Sequence, residues 1–219
     1  MFLGHYGVAF ALKRAEPKVS LGTLFVAVQL ADVLWGIFLL LGWEQVRIDP
    51  TAAPAAQLEF VHYPISHSLV GTLAWALAAG VLYYSWPTRD TSGHWQAALL
   101  VAAAAASHWF LDVIVHFPDL PLAGDGSPQV GFGLWANLPL TIALELLFLG
   151  AGVAIYVLRR SHRHPARPGP LIGLVLLLVG LYAASLLGPP PPSVTAIAVT
   201  DLVGLLALAA LAGWVDRAA

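Results

Sequence analysis

The chain has 219 residues, of which 59% are hydrophobic and only 10% charged, where a soluble domain carries about a quarter. A mean hydropathy of +0.79 excludes a water-soluble globule, since a bilayer and not an aqueous core absorbs so much apolar sequence. The formal charge of -2 excludes a basic nucleic-acid-binding face, and the lack of cysteine excludes disulfides and thiolate metal sites; His, Asp and Glu remain as ligands.

In chain order, residues 1–12 are apolar but too short to cross a bilayer. Lys13 and Arg14 follow this stretch instead of preceding it, so it does not read as a secretory signal. It reads as an interfacial or re-entrant half-helix carrying His5. Six candidate spans follow at 19–42, 64–86, 94–117, 135–158, 170–188 and 194–214. The fold class expected is all-α, a polytopic membrane helix bundle. Trp43, Trp86, Trp95, Trp135 and Trp214 fall at span ends, as an aromatic belt requires. Residues 1–158 form a membrane core, 159–169 a basic loop, and 170–219 two additional transmembrane helices. No internal repeat and no broken helix pair of the transporter kind is visible.

Basic residues orient the bundle. The segment Arg159-Arg160-Ser161-His162-Arg163-His164…Arg167 belongs in the cytoplasm, and counting spans from it places both termini inside. Nine of the ten basic residues then lie inside, with Arg47 alone outside. Arg outnumbers Lys eight to two, in keeping with a GC-rich bacterial source and an inner-membrane location. Two outward segments, 43–63 and 118–134, carry Glu44, Asp49, Glu59, His62, Asp119 and Asp125.

Ionisable groups within spans cost several kcal/mol and mark functional candidates. Asp32, His67, His108, Asp112, His116, Glu145 and Asp201 come from five spans, and most share a depth between the midplane and the outer face. His108, Asp112 and His116 recur every four residues and form one helix stripe. Pro64 suits a first helical turn, which places His67 in that turn and His62 in the loop before it, where the two imidazoles are able to converge. Asp32, Asp112, Glu145 and Asp201 have no Lys or Arg in their half of the spans, so either several are protonated or a cation is bound. His with Asp suits zinc, manganese or iron, and a divalent metal is the expectation drawn.

Gly4-His5-Tyr6-Gly7, His62-Tyr63-Pro64-Ile65-Ser66-His67-Ser68-Leu69 and Ser107-His108-Trp109-Phe110-Leu111-Asp112 resemble motifs of the YdjM-like family of membrane-bound metal-dependent hydrolases. That family shows an early His, an Asp-containing segment, His-x-x-x-Thr/Ser-His-Ser and Ser-His-x-x-x-Asp. Here Asp32 stands alone where the family pairs aspartates, and His62 lies one position further from His67. The resemblance implies His5, Asp32, His62, His67, His108 and Asp112 as metal ligands, zinc first, with manganese or iron as alternatives. It implies a hydrolase in which metal-activated water attacks an ester or phosphoester of an amphipathic, lipid-like substrate near the outer face. Glu44, Glu59 and Glu145 are the candidate catalytic bases. A weaker resemblance to membrane phosphatidic-acid-type phosphatases rests on His108 and Asp112, but their phosphate-holding Lys and Arg cluster has no counterpart on the outer side. Two other functions fit the same groups. One is a transporter or channel for a metal ion or proton; the other is a non-catalytic assembly protein whose polar cluster fixes helix register.

Overall fold

The computed structural model describes residues 1–52, 57–87, 92–158 and 168–218. The basic loop at 159–167 and Arg89, on which the orientation rests, lie outside the described residues. Nine α-helices, a short 3-10 helix at Leu134–Ala136 and two small antiparallel hairpins make up the regular structure of the described residues. They run α1 (Leu3–Ala15), α2 (Leu21–Val28), α3 (Leu30–Leu41), β1 (Gln45–Ile48), β2 (Leu58–His62), α4 (Pro64–His67), α5 (Leu69–Ser85), α6 (His94–Val115), β3 (Leu120–Pro121), β4 (Gln129–Val130), α7 (Leu138–Leu158), α8 (Pro168–Leu187) and α9 (Val194–Ala218).

Six crossings were expected, but among the described residues only α6, α7, α8 and α9 are long and apolar enough to cross a membrane. A fifth crossing exists if α2 and α3 are taken as one span bent by 57°. α5 is apolar but 17 residues long, because α4 takes up the start of the apolar run and Ser68 caps a new helix, accepting from Gly71 N at 2.9 Å. The outward segments are not plain loops. β1 pairs with β2, and β3 with β4, and the two hairpins cover one end of the bundle. The β1–β2 turn is set by Asp49, whose carboxylate accepts from the Thr51 hydroxyl and N–H; those bonds hold its pKa below the usual value.

The break between α2 and α3 falls at Gln29, whose backbone leaves the helical region at φ -107, ψ 13. A sequence scan sees only a continuous apolar run there. The broken ladder frees the Val28 carbonyl, and His108 Nδ1 takes it at 2.7 Å. The tertiary bond compensates the local defect. Gly42, at φ +71, ends α3 in the left-handed conformation that favours glycine and turns the chain into β1.

Small residues let the helices approach closely. Gly7 of α1 lies backbone-to-backbone against Phe148, Leu149 and Gly152 of α7. Gly22 of α2 meets Ala209 and Gly213 of α9, Gly36 of α3 meets Ala198 and Leu202 of α9, and Gly80 of α5 meets Ala98 and Ala102 of α6. Around these crossings Tyr6, Phe10, Phe25 and Tyr156 interlock edge to face and at tilted angles, with Tyr6 and Phe25 centroids 4.6 Å apart. Away from the hairpins, Asp216 ties three helix ends together. It pairs with Lys13 Nζ at 2.8 Å and accepts from Leu21 N at 3.0 Å, supplying an orphan amide at the start of α2.

Residues 1–12, expected as an interfacial or re-entrant half-helix, form most of a short helix packed inside the bundle. α1 is about 20 Å long, and Leu3–Gly7 are fully buried against α7 and α6. By contrast most of α8 and α9 is left uncovered, with Leu176, Leu187, Val203 and Trp214 facing outward. Leucine-rich surface of that extent needs apolar surroundings.

Candidate metal centre

Five helices deliver ionisable groups to one place beneath the hairpins. α1 brings His5, α3 brings Asp32 in its first turn, α4 brings His67, and α6 brings His108 and Asp112 one turn apart. His116 follows at the C-terminus of α6, and Glu145 sits nearby on α7. His5, His67, His108, Asp112 and His116 are all at most 3% exposed, and Asp32 is the most open at 28%.

The imidazole protons are fixed by their partners. His108 Nδ1 faces a backbone carbonyl, which only accepts, so the proton sits on Nδ1. Ser66 Oγ donates to Glu44 Oε2 at 2.6 Å, which leaves its lone pairs for His67 Nδ1 at 2.7 Å. His116 Nδ1 lies 3.1 Å from Asp119 Oδ1. In each ring the Nδ1 proton is spoken for, and Nε2 turns inward to the carboxylates. Metal-bound histidines are oriented this way, the outer nitrogen bonded to a carbonyl or carboxylate.

The inward distances are short. His67 Nε2 and His108 Nε2 lie 3.3 and 3.6 Å from Asp32 Oδ1. From Asp112 Oδ2 they lie 4.0 and 3.0 Å away. A tetrahedral ion with bonds of 2.0–2.1 Å sets its ligand atoms roughly 3.3 Å apart, in the middle of these values. Despite its 3.0 Å separation from Asp112, His108 Nε2 makes no aligned hydrogen bond and is a buried nitrogen without a partner. A lone pair facing a carboxylate oxygen is repulsive unless a proton or a cation lies between them.

Asp112 is the hub. Its Oδ2 faces His67, His108 and His116, and its Oδ1 faces His5 Nε2 at 3.2 Å and accepts from Met1 N at 2.5 Å. The His5 and His108 rings stack in parallel, centroids 4.0 Å apart, each with its Nε2 toward one of the two oxygens. Two ligand groups follow: Asp32, His67 and His108, and His5, His108 and Asp112. They share His108 Nε2, so the buried cluster is able to bind a metal ion through either group, with Asp112 joining the two.

The structure leaves four expected site residues outside the cluster. His62 Nε2 lies 2.7 Å from Asp125 Oδ1 at the surface, because β2 ends before the turn that carries His67 inward. Glu59 is 57% exposed on β2 and pairs with Arg47 at 2.8 Å. Glu44 is buried but committed, since its Oε1 accepts from Ile65 N and Ser66 N, both at 2.8 Å. A carboxylate at this helix start suits the peptide dipoles. Glu145 accepts from Phe2 N and Gly4 N at 2.8 Å and so caps α1. None of the three glutamates stands free beside the imidazoles. Ser66, the Val28 carbonyl and Asp119 were not anticipated as supports. Of these only Ser66, adjacent to His67, left a mark in the sequence. Replacing Ser66 with Ala is expected to weaken divalent-metal affinity about 10- to 100-fold, measured by competition with a chromogenic chelator; unchanged affinity removes the orienting role.

A cavity of about 600 Å³ opens beside the cluster, within the size range of small-molecule sites. Asp32, His67, Asp112 and His116 form its polar wall, and Phe60 and Trp135 lie toward the hairpins. The opposite wall comes from α8 and α9, including Tyr182, Ile197 and Asp201. The two helices read from sequence as an addition therefore enclose the site.

No family model, curated protein or solved structure matches the chain.

Proposed function

We propose that the protein is a membrane-embedded metal-dependent hydrolase acting on an ester-type bond of an amphipathic molecule. The observation that carries this reading is the inward convergence of His67 and His108 Nε2 on Asp32 and Asp112, with both Nδ1 protons already committed. Asp32, His67, His108 and Asp112 hold the divalent ion, zinc before manganese or iron, and His5 backs the far oxygen of Asp112. The resemblance to YdjM-like hydrolases rests on these same residues. The setting is a bacterial inner membrane with both termini cytoplasmic, and substrate enters sideways from the outer leaflet.

When bound, such an ion lowers the pKa of a water molecule and polarises the ester oxygen. The chain supplies the proton handling. His116 lines the cavity, points Nε2 toward Asp112 at 3.9 Å, and is held from behind by Asp119, itself bonded to the Tyr63 hydroxyl at 3.2 Å. That His–Asp pair is better placed to accept a proton than Glu44, Glu59 or Glu145, each bonded elsewhere. Phe60 and Trp135, with centroids 4.2 Å (Trp135) and 5.0 Å (Phe60) from the His116 ring, keep bulk water from it.

Elemental analysis of purified protein should find about one divalent ion per chain, and a lipid-ester screen should give hydrolysis that chelation stops. His116→Ala should keep the metal and lose about 10²- to 10⁴-fold in turnover. Protein free of divalent metal, or hydrolysis indifferent to chelators, overturns the reading. The 57° bend of α2 against α3 favours one other function, ion passage, because broken helices form ion sites in transporters. Metal or proton flux in proteoliposomes separates the two.

A further inference from the structure

The cavity also restricts what enters it. Among the described residues no Lys or Arg side chain lines it, whereas Asp32, Asp112, Glu145 and Asp201 do. Asp32 and Asp112 face imidazoles and Glu145 accepts two backbone amides. Asp201 differs from all three. It is half-buried on α9, and among the described residues it has no hydrogen-bond or ion-pair partner; the charged group acting on it is Asp32, of like sign. A carboxylate left so among apolar helices is costly and marks a place where something binds. Two further groups in the cavity wall are unsatisfied. Trp35 Nε1–H and the Tyr182 hydroxyl are buried without partners, in side chains 3% and 8% exposed. Apart from Ser185 and Thr200, the rest of the wall on α8 and α9, with Leu181, Ile197, Leu205 and Leu208, is apolar.

We propose that the site takes an acylated amphiphile, a carboxylic ester or amide whose head carries hydroxyl or ammonium donors, and that Asp201 receives those donors. This rests on the hydrolase reading and narrows it, because phosphate-bearing lipids are excluded. The donors Trp35 and Tyr182 suit a carbonyl oxygen, the acceptor Asp201 suits a hydroxyl or amine, and the leucine wall suits an acyl chain. An anionic headgroup would meet the unpaired Asp201 with no Lys or Arg side chain among the described lining residues to offset it, since the Met1 ammonium and the divalent ion are taken up by Asp112 and Asp32. Water then adds across the acyl C–O or C–N bond: its oxygen goes to the acyl carbon, one proton passes to the departing alkoxide or amine, and a carboxylic acid and an alcohol or amine leave. Asp201 is a specificity-determining residue and takes no part in the bond change.

The test is binding, read apart from turnover. Wild-type and variant protein in nanodiscs, each with metal and after chelation, are titrated with dodecylglycerol ether, dodecylamine and dodecyl phosphate, none of which is hydrolysed. Wild type should bind the ether and the amine at least about tenfold more tightly than the phosphate. Asp201→Leu should lose about tenfold for the ether or the amine, with metal content and phosphate affinity unchanged; the arm that falls identifies hydroxyl or ammonium as the donor. Asp201→Asn should recover the ether but not the amine. Equal or tighter phosphate binding, or an Asp201→Leu variant that binds all three as wild type does, overturns the proposal. If Asp201-dependent binding persists in protein that never holds metal, the hydrolase reading and the bond cleavage fail, while the recognition of headgroup donors by Asp201 stands.

Discussion

Replacing Asp112 with Ala should empty the centre of metal. Asp112 is the one carboxylate that His5, His67, His108 and His116 all face. Even an outer partner of a metal ligand is worth about 10- to 100-fold in affinity, so loss of the hub should exceed about a hundredfold. Metal per chain should fall to background in Asp112→Ala and in the isosteric Asp112→Asn. Thermal unfolding gives a second readout. An ion that binds only the folded state stabilises it by about 2.7 kcal/mol at a concentration one hundred times its Kd. A chelator should therefore lower the melting temperature of the wild type and leave that of Asp112→Asn where it was. If Asp112→Asn retains metal, the ion lies elsewhere or the cluster holds none.

The second large effect is steric. A Cβ at Gly7 would run into the Phe148 carbonyl, and one at Gly152 would run into the backbone of Gly7. Overpacking costs about 1–3 kcal/mol where side chains are able to give way, and a backbone cannot. Gly7→Val should therefore cost about 3 kcal/mol or more and release His5 from the centre. Gly150, on the same helix, has no atom within 4 Å of a built Cβ, and Gly150→Val should be neutral to slightly stabilising. Melting temperatures in detergent for the pair decide the matter: equal losses would show that the cost lies in the valine and not in the α1–α7 crossing.

The membrane character was legible because apolar length and charge sparsity need no tertiary knowledge. The stripe of His108, Asp112 and His116 was legible too, because a helical repeat fixes a shared face whatever the helix packs on. Two things were hidden. The break at Gln29 lies in an unbroken apolar run, and the bond that compensates it, from His108 to the Val28 carbonyl, joins residues 80 apart. The fates of the glutamates were hidden for a similar reason. Glu145 looked like a free acid until α1 placed two amides on it, and Glu44 until α4 did the same. Orphan amides at helix starts draw carboxylates, but sequence spacing does not say which start meets which acid. His62 misled because its separation from His67 allows convergence, while β2 pairs with β1 and holds His62 at the surface.

The seating of α1 against α7 bears on how the protein is made. Gly4 and Glu145 are 141 residues apart, and a ribosome adding roughly 5–20 residues per second needs on the order of ten seconds or more to cover that distance. Throughout that interval the short helix lacks the α7 groove it lies in, while Asp32, His67, His108 and Asp112 are added one after another. His5 is thus translated before the other imidazoles and docked on α7 after them, and a released chain ending before residue 138 should be able to gather the rest of the cluster while its earliest histidine still lacks that groove.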